Sequence, residues 1–298
     1  MAKILTHKEI IDLCGSIDLE FKADNTKKIE ISTESGIIHL VKGLPGTIIQ
    51  TSLVNENDLE NCELTRETIG DTLVLKAKSK SNSVNFKQDN DNFNFFGDNV
   101  IISDNNNSIR VSISGKTVIR GNVNITSNSS CKVGFIVVIP SNNLEVQATS
   151  GSGNIVLTET SQDTCIKTGS GEVKLEKAVG KSISIKTGSG PVTGITSVNE
   201  IDIETGSGYI DLKRSGNATN IKTGSGGIRL SWEDIPKGRT EIKTGSGDIR
   251  LRFPKESRLK TNYKSGSGKM INGIGDSNSP MMSLDVRSSS GDLNIEEI

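Results

Sequence analysis

Two acids raise the question of chemistry. Asp202 and Glu241 fall on one outward column of a recurring sequence unit, together with Ser184, Asn220, Asn262 and Asp285. Two repeats apart, they would lie about 9.5 Å from each other by strand spacing, at the edge of the inverting-glycosidase range. Sugar-cleaving sites generally need aromatic platforms, and the chain has one Trp and two Tyr, of which Tyr263 falls on an inward column. Exposed acids scattered along a repeat are the simpler account. A carbohydrate-active enzyme, a polysaccharide hydrolase or lyase using these two acids, stands as the alternative to a non-catalytic role.

Other chemistries find less support. A glycine-rich phosphate loop must lead into a helix, but here the glycines lead into Glu172-Val173-Lys174-Leu175 and its relatives, which are strand sequences. Calcium-binding glycine-rich repeats need a carboxylate at a nine-residue period. The positions after the second glycine hold Asn154, Glu172, Pro191, Tyr209, Gly227, Asp248, Lys269 and Asp292, which cannot serve such a site. His7 and His39 have no acid-and-nucleophile pattern near them, so a hydrolase triad is unsupported. His39 falls on an outward position, where a solvated ring is expected. No metal site and no cofactor is expected.

The elements that would position any site come from a repeat. The unit Ile242-Lys243-Thr244-Gly245-Ser246-Gly247-Asp248-Ile249-Arg250-Leu251 recurs, with its Ser-Gly step at 152–153, 170–171, 189–190, 207–208, 225–226, 246–247, 267–268 and 290–291. The intervals of 18, 19, 18, 18, 21, 21 and 23 residues mark a solenoid. A degenerate copy at 29–40 places the first unit near the N-terminus. Apolar residues alternate on both sides of the step: Ile166, Ile185, Ile203, Ile221, Ile242, Tyr263 and Val286 before it, and Val173, Val192, Ile210, Ile228, Ile249, Met270 and Leu293 after it. Period-2 alternation on a coil of this length predicts an all-β fold, a parallel β-helix of 18–23-residue coils. The crossover rule makes it right-handed. Ser170-Gly171, Ser189-Gly190, Ser207-Gly208, Ser225-Gly226 and Ser246-Gly247 become its corners. The second glycine is expected to need positive φ or close backbone approach, and the serines are expected to bond between coils.

Thr6-His7-Lys8-Glu9 fits a capping box, so residues 1–15 are expected to form a short helix capping the open N-terminal end. Residues 16–140 read as a degenerate solenoid part, with an Asn-rich insertion near 78–130 that contains Phe93, Phe95 and Phe96 and looks mobile. Residues 141–298 form the regular repeats. The apolar fraction of 33% and the 31 glycines suit many short strands and turns. Cys14, Cys62, Cys131 and Cys165 make no CxxC pair and read as reduced thiols. With no signal peptide at the start, a cytoplasmic location is expected, with export by a route without a cleaved signal as the alternative. The longest apolar run is too short for a membrane span.

A net charge of −1 favours neither nucleic acid nor an anionic membrane. One outward column is nevertheless basic: Thr149, Lys167, Lys186, Glu204, Lys222, Lys243, Lys264 and Arg287. It can dock a protein or an anionic polysaccharide, or simply keep the face soluble. The lengthened connections at 231–239, 252–260 and 273–283 carry Trp232 and Phe253, which either fold under their loops or add to a partner surface. Open ends also allow self-association.

The repeats, preceded by Gly134-Phe135-Ile136-Val137-Val138-Ile139-Pro140 and Leu144-Glu145-Val146, resemble the bacterial putative-adhesin family over about residues 16–298. These are β-strand-repeat proteins of largely unknown function. The resemblance implies a right-handed β-helix and a non-enzymatic role; the stretch 78–130 departs from its pattern.

Overall fold

The structure, a computed structural model, describes residues 19–22, 25–42, 47–53, 62–79, 83–88, 91–96, 100–105, 108–113, 116–121, 123–124, 131–139, 144–158 and 163–298. For 19–22, 47–53 and the strands between 83 and 124, the backbone alone is described. The expected helix at 1–15 and Cys14 lie outside these residues. Among the described residues the fold is all-β, with twenty-one strands in one continuous sheet. Its pairings are parallel except at one end of the stack.

Every coil except the outermost one at the first end has one strand entering a Gly-Ser-Gly corner, or a close variant of it, and one leaving it. Ile166, Ile185, Ile203, Ile221 and Ile242 are completely buried on the entering strands, and Val173, Val192, Ile210, Ile228, Ile249 and Leu293 are buried on the leaving ones. Each such side chain contributes about 1.5–3 kcal/mol on burial. Like residues meet because the register is one-to-one from coil to coil, as in Ile203↔Ile221 and Ile221↔Ile242.

Stacking order departs from chain order at both ends. The entering strands stack as Thr72–Ser79, Lys28–Thr33, Glu145–Ser150, Thr164–Thr168 and onward. The coil of residues 28–42 therefore lies inside the stack, between residues 145–158 and an outer coil made of Thr72–Ser79 and Gly134–Ile139. At the far end Met282–Ser288 is wedged between Gly238–Thr244 and Leu259–Ser265. Leu293–Glu297 is likewise wedged between Ile249–Phe253 and Met270–Asn272.

The two ends are finished differently. Cys62–Ile69 folds back antiparallel on Thr72–Ser79, and Thr47–Leu53 runs antiparallel along Gly134–Ile139, with Leu19–Lys22 beyond it. Reversed strands end the parallel register, which blunts an open edge. At the other end the outermost coil is 259–272, where Met270 and Ile271 are 45% and 65% exposed. There Asp276 accepts from the Thr261 N–H at 2.9 Å and Ser277 donates to the Leu259 carbonyl at 2.8 Å, so the connecting loop covers the start of that edge.

The outer coil of the first end has no Gly-Ser-Gly corner: the chain leaves it at Ser79 and returns at Cys131. Between them, six short strands form two three-stranded antiparallel sheets, where an insertion was expected. The side chains of Phe93, Phe95 and Phe96 lie outside the described residues. Cys62 and Cys131 are joined by a disulfide, with Cα atoms 5.3 Å apart across a separation of 69 residues. This corrects the expectation of reduced thiols. Distance in sequence hid the pair, because the fold-back of Cys62–Ile69 and the return of the chain at Cys131 meet at the root of the excursion. Cys165 remains a free thiol.

Candidate functional site

Nine coils share one corner chemistry. In each, a Thr or Ser hydroxyl accepts the backbone N–H of the second glycine three residues on: Thr33, Ser150, Thr168, Thr187, Thr205, Thr223, Thr244, Ser265 and Ser288, at 2.7 to 3.2 Å. The hydroxyl thus satisfies a buried donor that would otherwise cost about 1–3 kcal/mol. The serines of the regular Ser-Gly steps, including Ser170, Ser189, Ser207, Ser225 and Ser246, are exposed instead, whereas Ser35 is half-buried and its hydroxyl donates to the Cys131 carbonyl at 2.8 Å. The residue that holds the corner is therefore the one before the first glycine. At the second glycine the constraint is close approach: a Cβ at Gly226 would stand 2.0 Å from the Gly208 carbonyl oxygen. Gly171, Gly190, Gly208 and Gly247 are equally crowded by the preceding rung, and none of these glycines has positive φ.

Glu34 takes the first-glycine position where the next coil out has lost its corner. Its carboxylate accepts the backbone N–H groups of Ser79 at 3.0 Å and Cys131 at 3.2 Å, and the Ser79 hydroxyl as well. Partial burial opposes ionisation, but these bonds hold the carboxyl below the usual range. The side chain spans the gap between the departing and returning chain.

The corner sets the outward columns in register. In stacking order the basic column runs Thr149, Lys167, Lys186, Glu204, Lys222, Lys243, Arg287 and Lys264. Lys186 pairs with Glu204 at 2.9 Å, which raises the lysine pKa and lowers that of the glutamate. Lys243 pairs with Glu241 at 2.5 Å. Among the described residues Lys167, Lys222, Arg287 and Lys264 make no ion pair, and all four are exposed. Glu204 divides the column into two shallow depressions. One, of about 500 Å³, holds Lys167 and Lys186; the other, of about 460 Å³, holds Lys222, Lys243 and Arg287.

Trp232 and Phe253, expected on projecting loops, end the leaving strands and are buried, stacked at 4.3 Å with planes 16° apart. The lengthened connections begin just after them, so the aromatic pair fills the interior at that turn. Neither side chain is available to a partner. In the same row Arg214 is fully buried between Thr196 and Trp232. Its Nη1 donates to the Ala218 carbonyl at 3.3 Å, and burial lowers its pKa to about 10.

The acid column is tied up in structural contacts. Asp202 accepts from Asn220 at 2.7 Å, and Glu241 lies against Lys243 and, at 3.8 Å, Arg239. Asn220 occupies the rung between the two acids, and an outer groove of about 850 Å³ runs past all three. Among the described residues no group of three or more His, Cys, Asp or Glu is placed to hold a metal.

His39 departs from the solvated ring expected. It is half-buried, with Nε2 3.0 Å from the Thr158 hydroxyl, which lies 3.1 Å from Glu176. Because the single hydroxyl proton goes to Glu176, Nε2 must carry a proton and donate. Burial lowers the His39 pKa; Glu176 opposes that shift and Lys174 adds to it.

A family model described as Toastrack DUF4097 matches residues 47–296. The chain belongs to the Toastrack DUF4097 family. Three crystal structures share low identity with this Toastrack chain. A putative cell adhesion protein from Clostridium sporogenes is 9% identical, over 94% of this chain and 98% of the other, at a TM-score of 0.23. A putative adhesin from Bacteroides fragilis is 11% identical, over 94% and 95%, at 0.45. A putative lipid binding protein from Parabacteroides distasonis is 14% identical, over 94% and 95%, at 0.47. No curated protein matches the chain. At these TM-scores the fold rests on strand register rather than on the likenesses. No helix among the described residues is long and apolar enough to cross a membrane.

Proposed function

We propose that this Toastrack chain is a non-catalytic binding module that docks an anionic polymer along its basic column. The coils are taken to wind right-handed, the hand that crossover connections favour. The observation that carries the proposal is the uninterrupted row Lys222, Lys243, Arg287, Lys264, three of which lack an ion-pair partner among the described residues. Rungs about 4.8 Å apart hold these like charges close together at a cost that a bound polyanion would relieve. The acids that would serve a glycosidase are instead engaged by Asn220, Arg239 and Lys243. The Cys62–Cys131 disulfide supports work in an oxidising compartment, and so export rather than the cytoplasm.

Dextran sulfate is a suitable probe. The chain should bind it with an affinity that falls as salt rises. The triple variant Lys222→Glu, Lys243→Glu, Arg287→Glu should lose binding while keeping its unfolding midpoint. Unchanged affinity in the variant removes the column from the proposal.

A further inference from the structure

A second outward row carries a different irregularity. The residues that open the leaving strands stack as Asn154, Glu172, Pro191, Tyr209, Gly227, Asp248, Asp292 and Lys269. Where this row holds Asn or Asp, the side chain accepts the backbone N–H of the next rung. Glu172 donates to Asn154 Oδ1 at 2.9 Å, Asp292 to Asp248 Oδ1 at 3.1 Å, and Lys269 to Asp292 Oδ1 at 2.7 Å. The pattern breaks at the centre. Tyr209 offers no acceptor to the Gly227 N–H at that reach, and Gly227 has no side chain to offer Asp248.

The break is also an open space. A Cβ at Gly227 would meet only the Asp248 carbonyl oxygen, at 3.6 Å, so no atom of Tyr209 leans over the glycine. Tyr209 is instead 53% exposed. With Gly227, Arg229, Asp248 and Arg250 it lines a concavity of about 880 Å³. One wall is an aromatic side chain and the other a carboxylate, two rungs or about 9.6 Å apart along the stack. One carboxylate oxygen of Asp248 is already held by Asp292, which fixes the group and leaves the other oxygen free.

We propose that this slot is a subsite for an N-acetylhexosamine unit of a glycan. The apolar face of the pyranose lies on the Tyr209 ring. The acetamido carbonyl takes the Asp248 N–H, filling the place that the carboxamide of Asn154 fills for Glu172. The free Asp248 oxygen accepts a sugar hydroxyl, and Arg229 donates to another. A uronate's carboxylate would meet Asp248 at the acceptor end of the slot, which offsets the attraction of Arg229 and Arg250. The slot lies on the strands that leave the corner, whereas the basic column lies on those that enter it, so the two surfaces are independent.

Calorimetric titration of the full chain with chitotetraose, cellotetraose and tetragalacturonate tests the assignment. Chitotetraose should bind, and cellotetraose, which has the same linkage without acetamido groups, about tenfold or more weaker, a difference of 1.4 kcal/mol. Tyr209→Ala should weaken chitotetraose binding by a similar factor. Gly227→Asn fills the slot and supplies its own acceptor to Asp248. It should abolish binding while leaving the unfolding midpoint unchanged or raised. The Lys222→Glu, Lys243→Glu, Arg287→Glu variant should bind chitotetraose as the wild type does. The proposal is overturned if chitotetraose does not bind, if cellotetraose binds equally well, if tetragalacturonate binds more tightly, or if either slot variant binds normally.

Discussion

Ile249 and Leu293 are direct register partners, although a whole coil, with Met270 at the same position, lies between them in sequence. That coil is stacked outside Leu293, so Leu293–Glu297 is an interior rung and the earlier strand Met270–Asn272 forms the edge. Leu293 is buried from both sides, whereas Met270 has a neighbour on one side only.

Truncation should therefore be costly at Leu293 and mild at Met270. Leu293→Ala is expected to destabilise by about 2–5 kcal/mol, as for other buried leucines. Met270→Ala, at a half-exposed rim position, should cost well under half of that. Urea unfolding followed by circular dichroism measures both. A larger loss at Met270 than at Leu293 would mean that residues 259–272, not 282–297, are the inner coil.

Adjacent glycines should respond in opposite ways. Gly226→Ala brings a Cβ to 2.0 Å from the Gly208 carbonyl oxygen, a clash with backbone that nothing nearby can relieve cheaply. A loss of about 2 kcal/mol or more is expected, in the range of overpacked sites. Gly227→Ala enters open space and should be neutral or slightly stabilising, since it reduces the freedom of the unfolded chain. Thermal denaturation of the two variants side by side gives the comparison.

His39 should make stability depend on pH. Burial lowers its folded pKa below the ordinary value of 6.5. As pH falls past 6.5 the unfolded chain takes up the proton first, so stability declines from there down through the folded pKa and no further from this group. Above pH 6.5 the group contributes no slope. His39→Gln, which cannot titrate, should flatten the part of the urea midpoint curve between pH 7 and pH 5 that belongs to the imidazole. Superimposable curves for the two proteins would exclude the effect.

Period, columns and rung-to-rung identity were legible because one signal, apolar alternation about a Ser-Gly step, fixes all three. Coil order was not. Every coil offers Ile-x-Ile-x-Thr or a close variant, so any coil can pair with any other, and Lys28–Thr33 gives no sign that Thr72–Ser79 is its neighbour. Trp232 and Phe253 could be read either way, because a lengthened connection and a buried aromatic pair share the same few residues. The corner hydroxyl could have been read, since Thr or Ser stands three residues before the second glycine in all nine coils, but the more conspicuous serine drew the assignment. Cys62 and Cys131 meet only because an excursion leaves and rejoins one coil, a relation that spacing does not encode.

The interior position of residues 28–42 has a consequence for biosynthesis. That coil emerges from the ribosome well before either of its neighbours, Thr72–Ser79 and Glu145–Ser150, is complete. Growth of the stack cannot follow the order of translation. Lys28–Thr33 can pair early with Thr72–Ser79, but its other edge must wait for Glu145–Ser150, more than a hundred residues beyond the end of the coil. A chaperone that shields such an edge would act on this stretch of the nascent chain before any other.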